Sequence, residues 1–383
     1  MGQAALWANH LYHLFERQVL IRLGGQSLLF DLLQQALHAR CPREVDTHGQ
    51  GVDEEPDQVL HLGAHAVGHW CTDHHVVLTG QTSEQRSPCG HDRHEQAAAM
   101  PLAQRLEATG QVGVEYQPGM AALVLAAIGV QQAVRVPPVK DIQIAIKNLP
   151  PQFEGYKVLQ LTDMHISRLF DAPWTQAVVQ QSNALGVNLI VITGDLIDGS
   201  LGNRKQDIEA LRDLRAPDGV YVIPGNHEYF FDNQAWMQHF VSLGMIPLAN
   251  SHTMIERDGA RIALAGVTDV TAPKTGFPAP DLQKAIAGIA KDTPIILLDH
   301  QPRNAEETAT QGIALQLSGH THGGMIFGLH WLLALANGGF VSGLYDVGGM
   351  QLYVNNGTAL WPGFAIRLGK PSELTRITLR RAL

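Results

Sequence analysis

Beyond residue 136 the chain alternates short apolar runs with polar turns and segments of helical period. Val158–Thr162, Leu189–Thr193, Val220–Ile223, Ile295–Leu298 and Ala314–Ser318 are runs of four or five residues that are almost wholly apolar. A strand that is apolar at both of its alternating positions must be covered on both faces, so these runs predict a layered α/β fold. Between them, apolar spacing of three and four residues predicts helices over Trp174–Leu185, Gln206–Leu214, Gln234–Leu243 and Leu282–Ala290. Alternating Ile142, Ile144 and Ile146 predict an opening strand, and Met350–Val354 and Leu374–Leu379 read as closing strands.

The first third of the chain lacks this rhythm. Leu11, Leu14, Phe15 and Val19, then Leu28, Leu29, Leu32 and Leu33, have helical spacing, whereas Cys41–Pro118 is rich in turn formers and shows neither period. The expected division is a partly helical, then poorly ordered, His-rich extension over 1–118, a short apolar segment and linker over 119–135, and a layered α/β domain over 136–383. Gly119–Val130 is uninterrupted apolar sequence, yet its dozen residues fall short of the roughly 20 needed to cross a bilayer. It reads first as a short buried or partly buried helix, and second as a segment lying on a membrane.

Composition narrows the function. A net charge of −9 disfavours nucleic acid as a partner, because neutralising phosphates needs a surplus of Lys and Arg. Cys41, Cys71 and Cys89 form no CxxC pair and all precede residue 90, so neither a disulfide framework nor a thiolate zinc site is expected. Eleven of the 19 histidines also precede residue 95, without spacing that would align imidazoles on one face. No secretory leader is evident in the first residues.

The chemistry follows the strands. Asp163-Met164-His165 comes after the first run, Gly194-Asp195 after the second, Gly225-Asn226-His227-Glu228 after the third, His300 after the fourth, and Gly319-His320-Thr321-His322 after the fifth. Alone, an Asp or His past a strand is usually a cap or a satisfied loop residue. Open α/β sheets, however, gather ligands at the carboxyl ends of their strands, so five such segments are expected to converge. Carboxylate, amide and imidazole donors without thiolate suit Mn, Fe, Zn, Ni or Mg in a catalytic site. Two such ions would leave residual positive charge to clamp phosphate oxygens and to activate water.

Taken together, Asp163-x-His165, Gly194-Asp195, Gly225-Asn226-His227-Glu228, His300 and Gly319-His320-x-His322 resemble the motif series of calcineurin-like metallophosphoesterases. More narrowly, RVPPVKDIQI, GDLIDG, LSGHTHGGM and NNGTALWPGFAIRLGKPSELTRITL are similar to a bacterial branch of membrane-associated phosphoesterases. The resemblance implies a layered α/β/α sandwich with mixed sheets and two divalent metal ions. One ion is expected on Asp163, His165, Asp195 and His322, the other on Asp195, Asn226, His300 and His320, with Asp195 bridging. His227 is expected beside the substrate as proton donor, and a metal-bridging hydroxide as the attacking group. Glu228 either orients His227 or is a carboxylate favoured at a helix N-terminus. Arg168 and Arg303 either contact phosphate or are solvated surface charges. Trp331, Phe340, Tyr345 and Trp361 either rim an apolar substrate site or belong to the core.

The implied reaction is hydrolysis of a phosphodiester or pyrophosphate bond, with a nucleotide-linked lipid such as UDP-diacylglucosamine and a possible role in lipid A synthesis at its far end. Membrane association is the implied location, a cytoplasmic one the alternative. A non-catalytic interaction scaffold on the same fold is the competing reading.

Overall fold

The computed structural model describes residues 120–382, so the expectations made for residues 1–118 lie outside the described residues. Twelve strands are present among them: β1 (Val139–Ile146), β2 (Lys157–Leu161), β3 (Leu189–Ile192), β4 (Val220–Val222), β5 (Ile246–Pro247), β6 (Ser251–Arg257), β7 (Ala260–Gly266), β8 (Ile295–Leu298), β9 (Leu315–Ser318), β10 (Gly343–Val347), β11 (Met350–Val354) and β12 (Leu374–Arg381). The helices used below are α1 (residues 120–134), α2 (Ala172–Ala184), α3 (Leu201–Ile208), α4 (Asn226–Phe230), α5 (Asn233–Ser242), α6 (Leu282–Ile286), α7 (Ala305–Ala309) and α8 (Leu329–Ala336).

The strands form two mixed six-stranded sheets, ordered β1-β12-β2-β3-β4-β5 and β10-β11-β9-β8-β7-β6. Within the first, β2 through β5 run parallel, and within the second β7, β8, β9 and β11 run parallel. Side chains alternate faces along a strand, and the apolar runs divide accordingly. Leu189 and Val191 of β3 join Ile296 and Leu298 of β8 in one cluster between the sheets. Ile190 and Ile192 turn the other way onto Val178 and Val179 of α2 and Trp236 and Phe240 of α5. On the far side, Ile295 and Leu297 pack with Ala285 of α6 and Ala305 of α7. The layered α/β architecture with mixed sheets is therefore present with the sheet doubled, in the order helices, sheet, sheet, helices. Truncating one of these fully buried aliphatic side chains to Ala costs about 2–5 kcal/mol, because the close-packed interior collapses only partly around the gap.

Four local differences from the sequence reading have identifiable causes. The second expected helix closes as α3 followed by a tighter 3-10 turn at Glu209–Asp213. The fourth stops at Ile286, after which Ala287 turns extended and Gly288 takes a φ of 85°. The β6–β7 hairpin, unread in the sequence, turns on Asp258 and Gly259, whose φ values of 48° and 79° are those of a tight Asp-Gly turn. Residues 120–128 are helical but not buried, which corrects the first expectation for that segment: Leu123, Val124 and Leu125 all face outward.

The two sheets pack face to face, and interior strands of each meet at their carboxyl ends. Gln160 of β2 donates through Nε2 to the Ser318 carbonyl of β9 at 3.1 Å and to Thr193 Oγ1 at 3.0 Å. These contacts tie the carboxyl ends of three parallel strands from two sheets to one another. The loops that leave those ends carry the motif residues.

Candidate metal centre

Each loop turns sharply as it leaves its strand. Ten residues other than glycine have positive φ among the described residues, and five of them are Asp163, His165, Asp195, His320 and His322. Left-handed backbone costs an ordinary side chain of order 1 kcal/mol or more and concentrates at functional sites. Glycines permit the crowding between these loops. A Cβ on Gly194, itself at φ 94°, would come within 2.6 Å of Gly225 Cα and 2.8 Å of His300 Nδ1.

The donors meet in overlapping groups. Asp163, His165 and His322 bring one ligand atom each to within 4.8 Å of one another, as do Asp195, His300 and His320, and also His165, Asp195 and His227. His165 and Asp195 thus link the two outer groups, with His165 Nε2 3.8 Å from Asp195 Oδ2. His165 Nε2 and His322 Nε2 approach to 3.2 Å, and His322 Nδ1 is buried without a partner. On the other side His300 Nδ1 donates to the Thr193 carbonyl at 2.7 Å, which leaves Nε2 as the lone-pair nitrogen of a neutral ring. That nitrogen lies 3.2 Å from Asp195 Oδ2 and 3.2 Å from Asn226 Oδ1. Three acceptors facing one point are reconciled by a cation or by an extra proton. Nitrogen and oxygen donors of this kind fit a divalent metal.

A carboxylate that the sequence reading passed over orders the centre. Asp198 accepts from His165 Nδ1 through Oδ2 at 3.1 Å, and its Oδ1 is in a very short contact with His227 Nδ1. Both imidazoles are thereby fixed with Nε2 toward the cluster. The signal was present three residues beyond Asp195, in the second Asp of GDLIDG. Glu228 does not orient His227. It is fully buried and accepts from three backbone N–H groups, Gly225 and Asp195 through Oε2 at 2.7 and 3.0 Å and Leu196 through Oε1 at 2.7 Å. The helix-terminus alternative is the nearer one, since Glu228, in the first turn of α4, accepts from the backbone N–H of its N-cap residue Gly225.

Asp163 accepts from the His320 backbone N–H at 3.0 Å and from Thr162 Oγ1 at 2.8 Å. Asp195 Oδ1 accepts from the His227 N–H at 2.8 Å. Arg168 and Arg303 are both exposed. Arg367, by contrast, is fully buried and donates to four carbonyls, those of His322, Asn356, Ala359 and Lys370, at 2.6–3.0 Å. It pins the His322 loop from behind and was not singled out by the sequence reading. Trp331 and Trp361 are exposed, while Phe340 and Tyr345 pack partly against the outer core of the second sheet.

Charge in the cluster is unevenly distributed. Burial alone would raise the Asp195 carboxyl, but the imidazoles of His300, His227 and His165 hold it well below the usual carboxylate range. Burial pushes Asp163 upward. For His227 burial acts downward and is outweighed by the carboxylates of Asp195 and Asp198, which lift it to about 9. Burial and the His165 imidazole hold His322 well below its ordinary value. His227 also differs in access: 16% of its side chain is exposed, against none for His165 and His300.

Residues 156–324 match the model of the family described as calcineurin-like phosphoesterase. A Danio rerio protein named "transmembrane protein with metallophosphoesterase domain" is 35% identical over 268 residues, which cover 68% of this chain and 61% of its own length. An uncharacterized metallophosphoesterase of Bacillus subtilis, YkuE, is 30% identical over 239 residues, 61% of this chain and 82% of its own. Among solved structures, the calcineurin-like phosphoesterase YfkN from Bacillus subtilis aligns over 54% of this chain and 83% of that one, with 17% identity and a TM-score of 0.37.

Proposed function

The chain belongs to the calcineurin-like metallophosphoesterase family, and from that premise we propose that it hydrolyses a phosphodiester bond using two divalent ions held by the converging loops. In this reading Asp163, His165, Asp195 and His322 hold one ion and Asp195, Asn226, His300 and His320 the other. The observation that carries it is the overlap of the donor groups: one three-donor set contains His165, another contains Asp195, and a third set joins those two residues with His227. Bound there, divalent ions supply Lewis-acid polarisation of the phosphoryl oxygens and lower the pKa of coordinated water.

The chain's own residues do the rest. Asp198 ties up His227 Nδ1, so Nε2 faces the cluster, 4.0 Å from Asp195 Oδ2. In the metal-free cluster Asp195 and Asp198 lift the ring to about 9, and in the loaded site Nε2–H would be the donor that delivers a proton to the departing alkoxide. The partial exposure of His227 supports its position on the substrate side. Arg367 keeps the His322 loop from relaxing when the site is loaded. The scaffold alternative predicts a lost donor, and every donor expected from the motifs is present. The nucleotide-linked lipid named in the sequence reading rested on resemblance alone and is not carried forward. Membrane association is part of the proposal, supported by the exposed apolar residues of α1 and α8; among the described residues no helix is long and apolar enough to cross a bilayer.

The test is hydrolysis of bis(p-nitrophenyl) phosphate by the full chain with Mn²⁺, before and after chelation. Metal-dependent release of p-nitrophenolate that chelation abolishes is expected. A protein that retains metal yet turns over none of a panel of phosphodiesters, phosphomonoesters and pyrophosphates would favour the scaffold.

A further inference from the structure

A helix that is apolar all round is ordinarily buried, and two helices of this domain are apolar and open. Helix α8 reads LHWLLALA and contains no buried residue; Trp331 is 66% exposed, Leu335 85%, and Phe327 just before it 70%. In α1 the consecutive Leu123, Val124 and Leu125 are 43%, 53% and 52% exposed. Successive helical residues are about 100° apart, so three in a row outside means that this part of α1 stands clear of the domain. Its packed end begins at Gly129, where a Cβ would meet Ile366 at 2.7 Å.

These elements are neighbours, and they adjoin the metal centre. Arg367 N–H donates to the Gly129 carbonyl at 3.0 Å, and Phe327 N–H to the Leu368 carbonyl at 2.9 Å, so residues 366–368 join the base of α1 to the start of α8. A Cβ on Gly324 would lie 2.6 Å from His330 Cα, which seats α8 directly on the loop of His322. The segments that form these elements carry no carboxylate. The chain has 36 acidic residues, yet residues 119–140, 308–345 and 347–372 contain none, whereas Arg135 and Lys370 lie beside the two helices.

We propose that α1, residues 361–369 and α8 form a face that docks on an anionic lipid bilayer, with the metal centre held at the lipid–water interface. The basic, acid-free rim complements anionic headgroups, whereas a second copy would bring the same basic rim against itself. Residues 120–128 are apolar throughout and span about 14 Å, near half the roughly 30 Å hydrocarbon thickness, a depth that suits entry into one leaflet. Exposed tryptophan beside leucine is the composition of interfacial contact. Resting on the phosphoesterase reading, one consequence follows for substrate class: a phosphodiester carried by an amphiphile, presented from the membrane side over α8.

The test is co-sedimentation of the full chain with phosphatidylcholine vesicles, with and without about 30 mol% phosphatidylglycerol. Binding is expected with the anionic vesicles, and the double variant Leu125→Glu/Leu335→Glu should weaken it about tenfold or more. Arg135→Gln/Lys370→Gln, which leaves the apolar helices intact and serves if the first variant misfolds, should remove most of the preference for anionic lipid, about fivefold for each charge. Hydrolysis of bis(p-nitrophenyl) phosphate should be unchanged in both. Failure of the wild type to bind either vesicle, or undiminished binding by the variants, overturns the proposal. So does a dimer in sedimentation that Leu335→Glu dissociates when no vesicle binding is seen. Vesicle binding without diester hydrolysis would leave the face standing and remove the phosphoesterase reading; hydrolysis without vesicle binding would do the reverse.

Discussion

Replacing Asp198 by Asn isolates the proton-donor part of the account. The side chain touches both His165 Nδ1, at 3.1 Å, and His227 Nδ1. Asn keeps the shape and one of the two acceptor oxygens, meets the other imidazole with an amide N–H, and loses the charge. A hydrogen bond to a charged partner contributes about 1.5–3 kcal/mol, and 1.36 kcal/mol corresponds to one pKa unit, so His227 should fall by about 1–2 units. Its value in the intact cluster is about 9. Loss of the Nε2 proton ends donation, so activity falls as pH rises through that pKa, and lowering the pKa moves the alkaline limb to lower pH. Bound ions will lower both proteins together, which makes the displacement between them the quantity to read. The assay is kcat/KM against pH for two diesters, one with an alkoxide leaving group and one with p-nitrophenolate, which departs without a proton. Near pH 8 the variant should lose about 2–10-fold on the alkoxide ester, rising toward about 10–100-fold well above the wild-type pKa, and much less on the other. Metal content is measured alongside, because Asp198 also orients His165. An unmoved alkaline limb, or equal losses on both esters with metal retained, would refute the reasoning.

Other perturbations separate metal binding, loop support and charge. Asp195→Asn and His322→Ala should lose metal and turnover together, whereas His227→Ala should keep metal and lose turnover; elemental analysis beside a diester assay checks this. Arg367→Met strands four buried carbonyls, each left unpaired at about 1 kcal/mol or more, so thermal unfolding should shift down by about 10 °C. The metal-free protein should lose stability as pH rises from about 7.5 to 9.5. The folded pKa of His227, about 9, lies above the ordinary 6.5. Its contribution is therefore complete below the unfolded pKa and is lost as pH passes the folded one. By pH 7.5 the depressed imidazoles of His320 and His322 are neutral in both states; His227 contributes about 2 kcal/mol to the loss across that window, and His300, which burial would lower but Asp195 holds well above its ordinary value, adds a loss of the same sign. Equal urea midpoints at its two ends would contradict the assignment.

The parts of the fold that were legible in the sequence share one cause. β3 and β8 are covered on both faces, so their residues are apolar at every position and stand out as runs. The loops after them carry Asp and His at places where structural need alone seldom puts several. Local geometry was harder to read. The β6–β7 hairpin was unread although Asp258-Gly259 is a strong turn signal, because its outer positions mix Thr, Glu and Arg with apolar residues and blur the alternation. Asp198 was missed because it follows a bridge residue, Ile197, rather than a strand end, and its importance lies in two contacts that no spacing discloses. Glu228 stayed open between two readings because a carboxylate beside a histidine suggests a pair, whereas the short helix α4 turns it back onto the backbone of Gly225 and Asp195. Arg367 illustrates the same limit. An arginine between Ile366 and Leu368 looks like a surface charge until the loops that surround it are in place.

If loops from both sheets hold two cations with Asp195 between them, anomalous diffraction from crystals grown with Mn²⁺ will locate both. Two peaks are expected roughly 3.5–4 Å apart, flanking the Asp195 carboxylate, one against Asp163, His165 and His322 and the other against Asn226, His300 and His320. A single peak, or peaks bound away from Asp195, would contradict that arrangement.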